Sequence, residues 1–336
     1  MSNPIRVIQY GLGPIGSAVA RHVVERQGLT LVGGVDIDPT KVGQDVGQVI
    51  GWPQPLGIVV AHTLDEVLAQ THADVVLHTT SSYLDLFKPQ IIEILHAGLN
   101  IVSTAEELSF PWRTHSAAAA EIDAAARQAG KTALATGVNP GFLMDTLPLT
   151  LTAICQRVDH IAVRRVINAS TRRGPFQAKI GSGLTVAEFQ AKMDAGRMGH
   201  VGLPESVGMI FDTLGKELTR YESRVAPIVA EQVVKTDYFE VSAGRVIGLE
   251  QTAQAYTPQG EFVNLTFIAA LDAPDEQDTL TITGHPTLEM TLKGSNGDLA
   301  TVAMVVNAVR RVYEAAPGLM TMRDLPPVTW WSPPQA

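Results

Sequence analysis

Between Ile5 and Asp36 the chain runs through an apolar stretch (Ile5 to Tyr10), the turn Gly11-Leu12-Gly13-Pro14-Ile15-Gly16, a helical stretch from Ser17 to Gln27, a second apolar stretch from Leu29 to Val35, and a carboxylate. This order of strand, tight turn, helix, strand and acid constrains the fold more than any other feature. Gly11 can take the positive φ that such a turn needs. Gly13 has no side chain to block a pyrophosphate, and Gly16 lets the helix pack closely on the strand. The helix start then offers unpaired N–H groups and the positive end of its dipole to phosphates. Asp36 lies 20 residues beyond Gly16, in register to accept from ribose hydroxyls. Gly11, Gly13, Pro14, Ile15, Gly16 and Asp36 are therefore candidate dinucleotide-binding residues. Ile37 follows the acid and no Arg stands beside it to receive a 2′-phosphate, Lys41 being the nearest cation. NAD is favoured, with NADP left open.

A chain of 336 residues suits two domains rather than one small core. Its 45% hydrophobic and 18% charged content is ordinary for a globular protein. The net charge of −9 argues against nucleic acid or anionic membrane as a partner. Cys155 is the only cysteine, which excludes an intrachain disulfide and points to a reducing compartment. The N-terminus lacks the pattern of a signal peptide, and the longest apolar runs are far short of a membrane span. A cytoplasmic protein with no metal site is expected.

Residues 1–140 repeat a strand–helix rhythm. Asp74–His78, Asn100–Ser103 and Thr132–Ala135 read as strands, while Leu84–His96 and Thr114–Gln128 read as helices. Alternation of this kind implies a parallel sheet covered on both faces, with ligands beyond the carboxyl ends of its strands. After Phe142 the pattern changes. A helix, Asp145–Ile154, leads into stretches that read as strands: Val158–Ile167, Ser242–Thr257, Phe262–Asp272, Asp278–Thr283 and Thr287–Leu292. Helices at Val186–Met193 and Pro204–Leu214 interrupt them, Leu299–Glu314 is a last helix, and Pro317–Pro327 reads as irregular. The expected fold class is α/β: an N-terminal Rossmann domain, 1–140, and an α+β domain with a mostly antiparallel sheet, 141–336. The second would bind substrate and dimerise, its final helix and tail being free to pack back on the first.

Three loops after strands invite chemistry. His78-Thr79-Thr80-Ser81-Ser82 is dense in small polar groups suited to the cofactor's ribose and carboxamide, and Ser81 or Ser82 is placed to cap the next helix. The His78 ring itself reads as a satisfied strand-end histidine. Ser103-Thr104-Ala105-Glu106-Glu107 falls where a nicotinamide ring would lie. A desolvated carboxylate there could move protons near neutral pH, although a solvated turn before Phe110 fits the residues equally. Asn139-Pro140-Gly141-Phe142 offers either an amide for a ligand or a plain hinge turn. A fourth segment, Gly199 to Ser206, could bring backbone, His200 or Glu205 to a ligand, helix capping being the competing account.

GLGPIG, VVLHTTSS, STAEELSFPW, TGVNPGF, GHVGLPES and VNAVRRVYEAAPGLMTMRDLP occur in an order that resembles the 2,4-diaminopentanoate dehydrogenase family, which includes native amine dehydrogenases and looks like dihydrodipicolinate reductase in its N-terminal half. The resemblance spans Ile5 to Pro327. It implies NAD(P)H-dependent reductive amination of a carbonyl with ammonia, or the reverse oxidative deamination, while a homodimer is expected by analogy, because the antiparallel sheet of such a second domain often forms subunit contacts in related folds. It also implies a catalytic glutamate in the A-E-E motif, hence Glu106 or Glu107, with Glu106 placed first. Thr104 and Asn139 join His78, Thr79, Thr80 and Ser81 as cofactor candidates. Phe142, Arg165, Ile167, Asn168 and His200 are the substrate-pocket candidates.

One segment departs from the family pattern. Arg165-Val166-Ile167-Asn168-Ala169-Ser170 has Ile167 where an asparagine is expected and Asn168 in place of an acid. An aliphatic side chain cannot hold a carboxylate or a second amine, so a plain carbonyl compound or amine is favoured. Diaminopentanoate itself remains an alternative, as does a cyclic imine reduced as in dihydrodipicolinate reductase, although the dicarboxylate motif of that enzyme is missing. The alternative outside enzymology is an NAD(P)-sensing binding protein, which has no need of a carboxylate at the nicotinamide.

Overall fold

The computed structural model describes residues 3–196 and 198–333. Its contacts divide into two compact units, one formed by Met1–Phe142 with Asn296–Ala336 and the other by Leu143–Ser295.

The first unit is built on strands β1 (Ile5–Tyr10), β2 (Leu29–Val35), β3 (Val60–Ala61), β4 (Val75–His78), β5 (Asn100–Ser103) and β6 (Thr132–Ala135), with a seventh at Gly318–Met320. Across the sheet they run Gly318–Met320, β6, β5, β4, β1, β2, β3, and every paired neighbour is parallel. The order reverses between β1 and β4, so the carboxyl ends of those strands flank the switch point where ligands bind in open α/β sheets. β4, β5 and β6 are buried along their whole length, as strands covered on both faces must be. One core layer joins Ile8, Val76 and Ile101 to Phe87 and Ile91 of the helix Leu84–His96 and to Ile122 of the helix Ser116–Ala129. That second helix stops at Gly130, whose φ of 64° is left-handed and open to glycine at no steric cost.

The helix Gly297–Glu314 also belongs to this unit. Asn296 caps it by accepting from the N–H groups of Asp298 and Leu299, and it packs on the helix Pro14–Glu25. The stretch Pro317–Pro327 is not wholly irregular, because Gly318–Met320 pairs with β6. Leu319 is buried in the core, so the tail closes an edge that β6 would otherwise leave unpaired.

In the second unit, β7 (Arg157–Asn168), β8 (Arg220–Val229), β11 (Val246–Thr257), β12 (Gly260–Ala270), β13 (Gln277–His285) and β14 (Leu288–Leu292) form one sheet, while β9 (Val234–Lys235) and β10 (Glu240–Val241) form a separate ribbon. The order is β14-β13-β7-β12-β11-β8; only β7–β12 is parallel. One face packs Ile167, Leu249, Phe267 and Ala269 against Phe189 of the helix Val186–Asp194. That helix opens with a capping box between Thr185 and Glu188. The edge strand β8 carries no plain strand signature in the sequence: Arg220-Tyr221-Glu222-Ser223-Arg224 buries nothing fully, since only one side of an edge strand meets the core.

Candidate functional site

The glycine turn has the geometry its sequence demands. Gly11 sits at φ 88°, and a Cβ there would lie 2.7 Å from the carbonyl oxygen of Thr79. At Gly16 a Cβ would fall 2.0 Å from the Gly11 carbonyl oxygen, so helix and turn touch backbone to backbone. Gly13 is different: a Cβ there meets nothing within 4 Å. It is also the N-cap of the helix Pro14–Glu25, which begins without any side-chain cap. Open space facing a bare helix start is what an approaching pyrophosphate requires. The residues present fit a dinucleotide.

Asp36 directly follows β2, 8% exposed. Its Oδ2 accepts from the Leu12 N–H at 2.7 Å and from Lys41 Nζ at 3.1 Å, and its Oδ1 accepts from the Asp38 N–H at 2.9 Å. The carboxylate is thus aimed from three sides, and Lys41, five residues along, closes back onto it and lies 3.5 Å from Asp38. Ile37 stands 74% exposed beside this acid.

At the end of β4 the side chains turn inward. Thr79 Oγ1 donates to the Gly11 carbonyl (2.9 Å) and accepts from Gln9 Nε2 (2.8 Å), bracing the turn. The His78 ring is fully buried, with Nδ1 2.9 Å from Ser103 Oγ and Nε2 2.8 Å from Gln90 Oε1. Burial pulls its pKa down to about 4, so the ring is neutral near pH 7. Its side chain therefore faces the protein, and only Thr79, Thr80 and Ser81 of this candidate set keep any exposure. The expected serine cap is not formed. Ser81 Oγ accepts from the Tyr83 N–H at 3.2 Å, and the helix Leu84–His96 is capped by a carboxylate from another loop.

That carboxylate is Glu107. Its Oε2 accepts from the Leu84 N–H at 2.6 Å and lies 3.6 Å from His115 Nε2. An anion at a helix start is stabilised by the dipole and by the unfilled N–H groups. Glu106 and Glu107 share one 3-10 turn, Glu106–Leu108, directly after β5, and both are partly exposed. Thr104, also half-buried, continues the ladder by donating to the His78 carbonyl at 3.0 Å. Asn139 is buried, 8% exposed, in the loop after β6. In that loop the Val138 N–H donates to Thr301 Oγ1 at 3.3 Å. Phe142, half-buried, ends this part of the chain.

The second unit buries two of the pocket candidates. Strand parity on β7 points both Arg165 and Ile167 to the helix-covered face. Ile167 is 5% exposed and packs in the core with Phe267 and Phe189. Arg165 is 1% exposed and pairs directly across the sheet with Asp278, Nη1 to Oδ1 at 3.1 Å. Burial lowers the Arg165 pKa and raises that of Asp278, and each charge opposes the other's shift. Ser295 Oγ also donates to Asp278. Asn168 caps the short turn Ala169–Thr171 through the Ser170 N–H at 3.0 Å. His200 stacks on Phe267 with centroids 4.6 Å apart, its backbone held by both ends of the Gln251 amide.

Sequence reasoning missed a buried polar group here. Ser206 Oγ donates to Asp145 Oδ2 at 2.8 Å, and Tyr221 has its hydroxyl pushed up to about 12 chiefly by burial. Asp145 and Ser206 lie 61 residues apart, so no local spacing could have joined them, and Tyr221 sits on the unrecognised β8. Gln9 and Gln90 were missed for the same reason, and Ser103 was read only as the start of its loop. Among the described residues no cluster of three or more His, Cys, Asp or Glu could hold a metal, and no helix is long and apolar enough to cross a membrane.

A parallel sheet with this strand order, a glycine turn open at Gly13 and an acid directly after β2 define a dinucleotide-binding domain of the kind found in NAD(P)-dependent oxidoreductases. Residues 5–103 match the model of the dihydrodipicolinate reductase N-terminus, and residues 142–332 match that of the 2,4-diaminopentanoate dehydrogenase C-terminal domain. The 2,4-diaminopentanoate dehydrogenase of Acetoanaerobium sticklandii is 32% identical over 331 residues, covering 96% of this chain and 93% of that protein. An amine dehydrogenase of Streptomyces virginiae is 24% identical, with 96% of each chain covered. A solved amine dehydrogenase from Mycobacterium smegmatis superposes with a TM-score of 0.87 at 26% identity, covering 97% of both chains. The chain belongs to the 2,4-diaminopentanoate dehydrogenase family.

Proposed function

We propose that this protein is an amine dehydrogenase that reductively aminates a small aldehyde or ketone with ammonia at the expense of NAD(P)H, and in reverse deaminates the corresponding amine. The relatives named 2,4-diaminopentanoate dehydrogenase and amine dehydrogenase support that reaction class. The observation that carries the site is the placing of the Glu106–Leu108 turn directly after β5, at the carboxyl end of the parallel sheet where ligands bind. We assign the proton chemistry to Glu106, the glutamate that the family's A-E-E motif puts first, while Glu107 holds the start of the helix Leu84–His96.

Gly11, Gly13, Pro14, Ile15 and Gly16 would hold the pyrophosphate and Asp36 the adenosine ribose. When bound, the nicotinamide supplies or takes the hydride. Ammonia is almost wholly ammonium near neutral pH and must lose a proton before its lone pair can attack. The Glu106 carboxylate takes that proton, and the freed amine adds to the carbonyl carbon. The protonated Glu106 then gives the proton to the carbinolamine hydroxyl, which leaves as water. A carboxylate is thereby regenerated beside the iminium cation, a charge match that water offers only weakly. Deamination runs through the same groups in reverse.

NAD is the proposed preferred cofactor, because Asp36 repels a 2′-phosphate; Lys41, 3.1 Å away, offsets part of that charge and leaves room for NADP. We also propose a cytoplasmic homodimer. The face of the six-stranded sheet opposite the core carries Glu222, Arg224, Glu250, Thr252 and Gln254 around a hollow of about 550 Å³. Charges of both signs on one face suit a second copy of that face.

The test is an NADH-consumption screen of aldehydes, ketones and keto acids with and without ammonium. Consumption that requires ammonium is expected. Equal rates in its absence would make the protein a carbonyl reductase and sink the proposal.

A further inference from the structure

We infer that His78 is a positioning residue that fixes the Glu106-bearing turn to the end of β4 through Ser103, its own ring being held from the other side by Gln90 of the helix Leu84–His96. The inference rests on the assignment of Glu106 to proton transfer. β4 lies between β1, which ends in the glycine turn, and β5, which ends in the carboxylate turn. Its last residue and the one after it reach opposite ways. Thr79 is hydrogen-bonded to Gly11 on the β1 side, and His78 is bonded to Ser103 on the β5 side.

The bond directions follow from the partners. Gln90 Oε1 can only accept, and it lies 2.8 Å from His78 Nε2, so Nε2 carries the proton. In a neutral ring Nδ1 is then an acceptor, and the Ser103 hydroxyl must donate to it. Ser103 Oγ in turn accepts from the Ala105 N–H at 3.1 Å. Thr80 Oγ1 donates to the same Gln90 oxygen at 2.8 Å and lies 2.9 Å from Nε2. The Thr104 N–H donates to the His78 carbonyl at 3.0 Å. Two successive amides of the turn, at 104 and 105, are therefore held by His78, the first directly and the second through one hydroxyl. Ala105 is the residue from which the 3-10 turn bearing Glu106 begins.

The ring has no freedom to relax. It is fully buried, 5.7 Å from the Tyr10 ring and 6.0 Å from the Phe87 ring by centroids. A shift at Nδ1 passes to Ser103, then to the Ala105 amide, then to Glu106. Misplacement of a catalytic group by about 1 Å can cost roughly a hundredfold in rate.

Four variants test this, each measured for kcat, NADH affinity by fluorescence titration, and melting temperature. Asn places an amide near the His Nδ1 position and Gln places one near Nε2. His78→Asn should keep an acceptor for Ser103 and hold kcat within about threefold, whereas His78→Gln should lose it and drop kcat by roughly tenfold or more. Ser103→Ala should reproduce the His78→Gln loss, and the double variant should fall no further, because both break one link. NADH affinity should stay within about twofold throughout, since the glycine turn is braced separately by Thr79 and Gln9. Unchanged kcat in His78→Gln or Ser103→Ala, or losses that multiply in the double variant, overturn the inference. Glu106→Gln measured alongside separates the two ideas. If it keeps wild-type turnover, the proton-transfer assignment fails; if it is inactive while His78→Gln is normal, only the positioning role fails.

Discussion

Single residues on the turn after β5 illustrate how identical side chains come to differ. Glu106 and Glu107 are neighbours on one 3-10 turn, yet Glu107 is fastened to the Leu84 N–H at 2.6 Å. Its loss should be felt in stability. Glu107→Ala should cost about 1 kcal/mol, the usual worth of a helix cap, while leaving kcat within a few-fold. Glu106→Gln should instead lower kcat by a hundredfold or more, the scale of a lost general acid–base, with little change in melting temperature. Urea titrations and steady-state rates on the pair decide it, and a reversed pattern would exchange the two roles. Ile167 presents a similar choice. Its place in the motif points to substrate, and its burial points to packing. Putting an amide into that core should cost on the order of 3 kcal/mol. Ile167→Asn is therefore expected to lower the melting temperature without improving kcat/KM for diamino or keto acids relative to plain ketones. A stable variant with shifted selectivity would return Ile167 to the pocket.

Elements show why most of the first unit was legible and parts of the second were not. Leu84–His96, Asn100–Ser103 and Thr132–Ala135 occur with the expected bounds because strands buried on both faces, and helices between them, write continuous local patterns. β8 wrote none, being an exposed edge, and Gly318–Met320 is a strand only because β6 offers it a partner. The glycine turn was readable because each glycine answers a separate steric demand, and that separation is itself testable. Gly13→Ala places its methyl in open space, so the fold should keep its melting temperature while NADH affinity falls roughly tenfold or more. Gly16→Ala drives its methyl into the Gly11 carbonyl, so stability should fall by about 1–3 kcal/mol. Calorimetry and NADH titration on both variants would expose an error if Gly13→Ala unfolded the unit or bound NADH normally. By contrast, the link from His78 through Ser103 to Ala105 crosses two strands 25 residues apart, and no pattern along either strand announces it.

For the molecule as a whole, the chain leaves its first unit at Phe142 and returns to it at Asn296, so that unit is complete only once the last 41 residues are in place. A composition with 34 acidic and 25 basic side chains gives a net charge of −9, and acid will act on many of them at once. His78 adds a contribution with a definite window. Its folded pKa of about 4 lies below the ordinary value of 6.5, so between these pH values the unfolded chain binds a proton that the folded chain refuses. Stability from this group is therefore present above pH 6.5 and is lost as pH falls through the window toward 4. At pH 4.5 the loss should be on the order of 2–3 kcal/mol, because each tenfold difference in proton affinity between the two states is worth about 1.4 kcal/mol. Urea midpoints at pH 7 and pH 4.5 provide the measurement. His78→Gln should start less stable than the wild type at pH 7, because a packed and bonded ring is gone, and should then lose less on acidification by about that amount. Equal losses in the two proteins would mean that the His78 ring takes up its proton in the folded state at an ordinary pH, and that its burial gives no acid-sensitive stability.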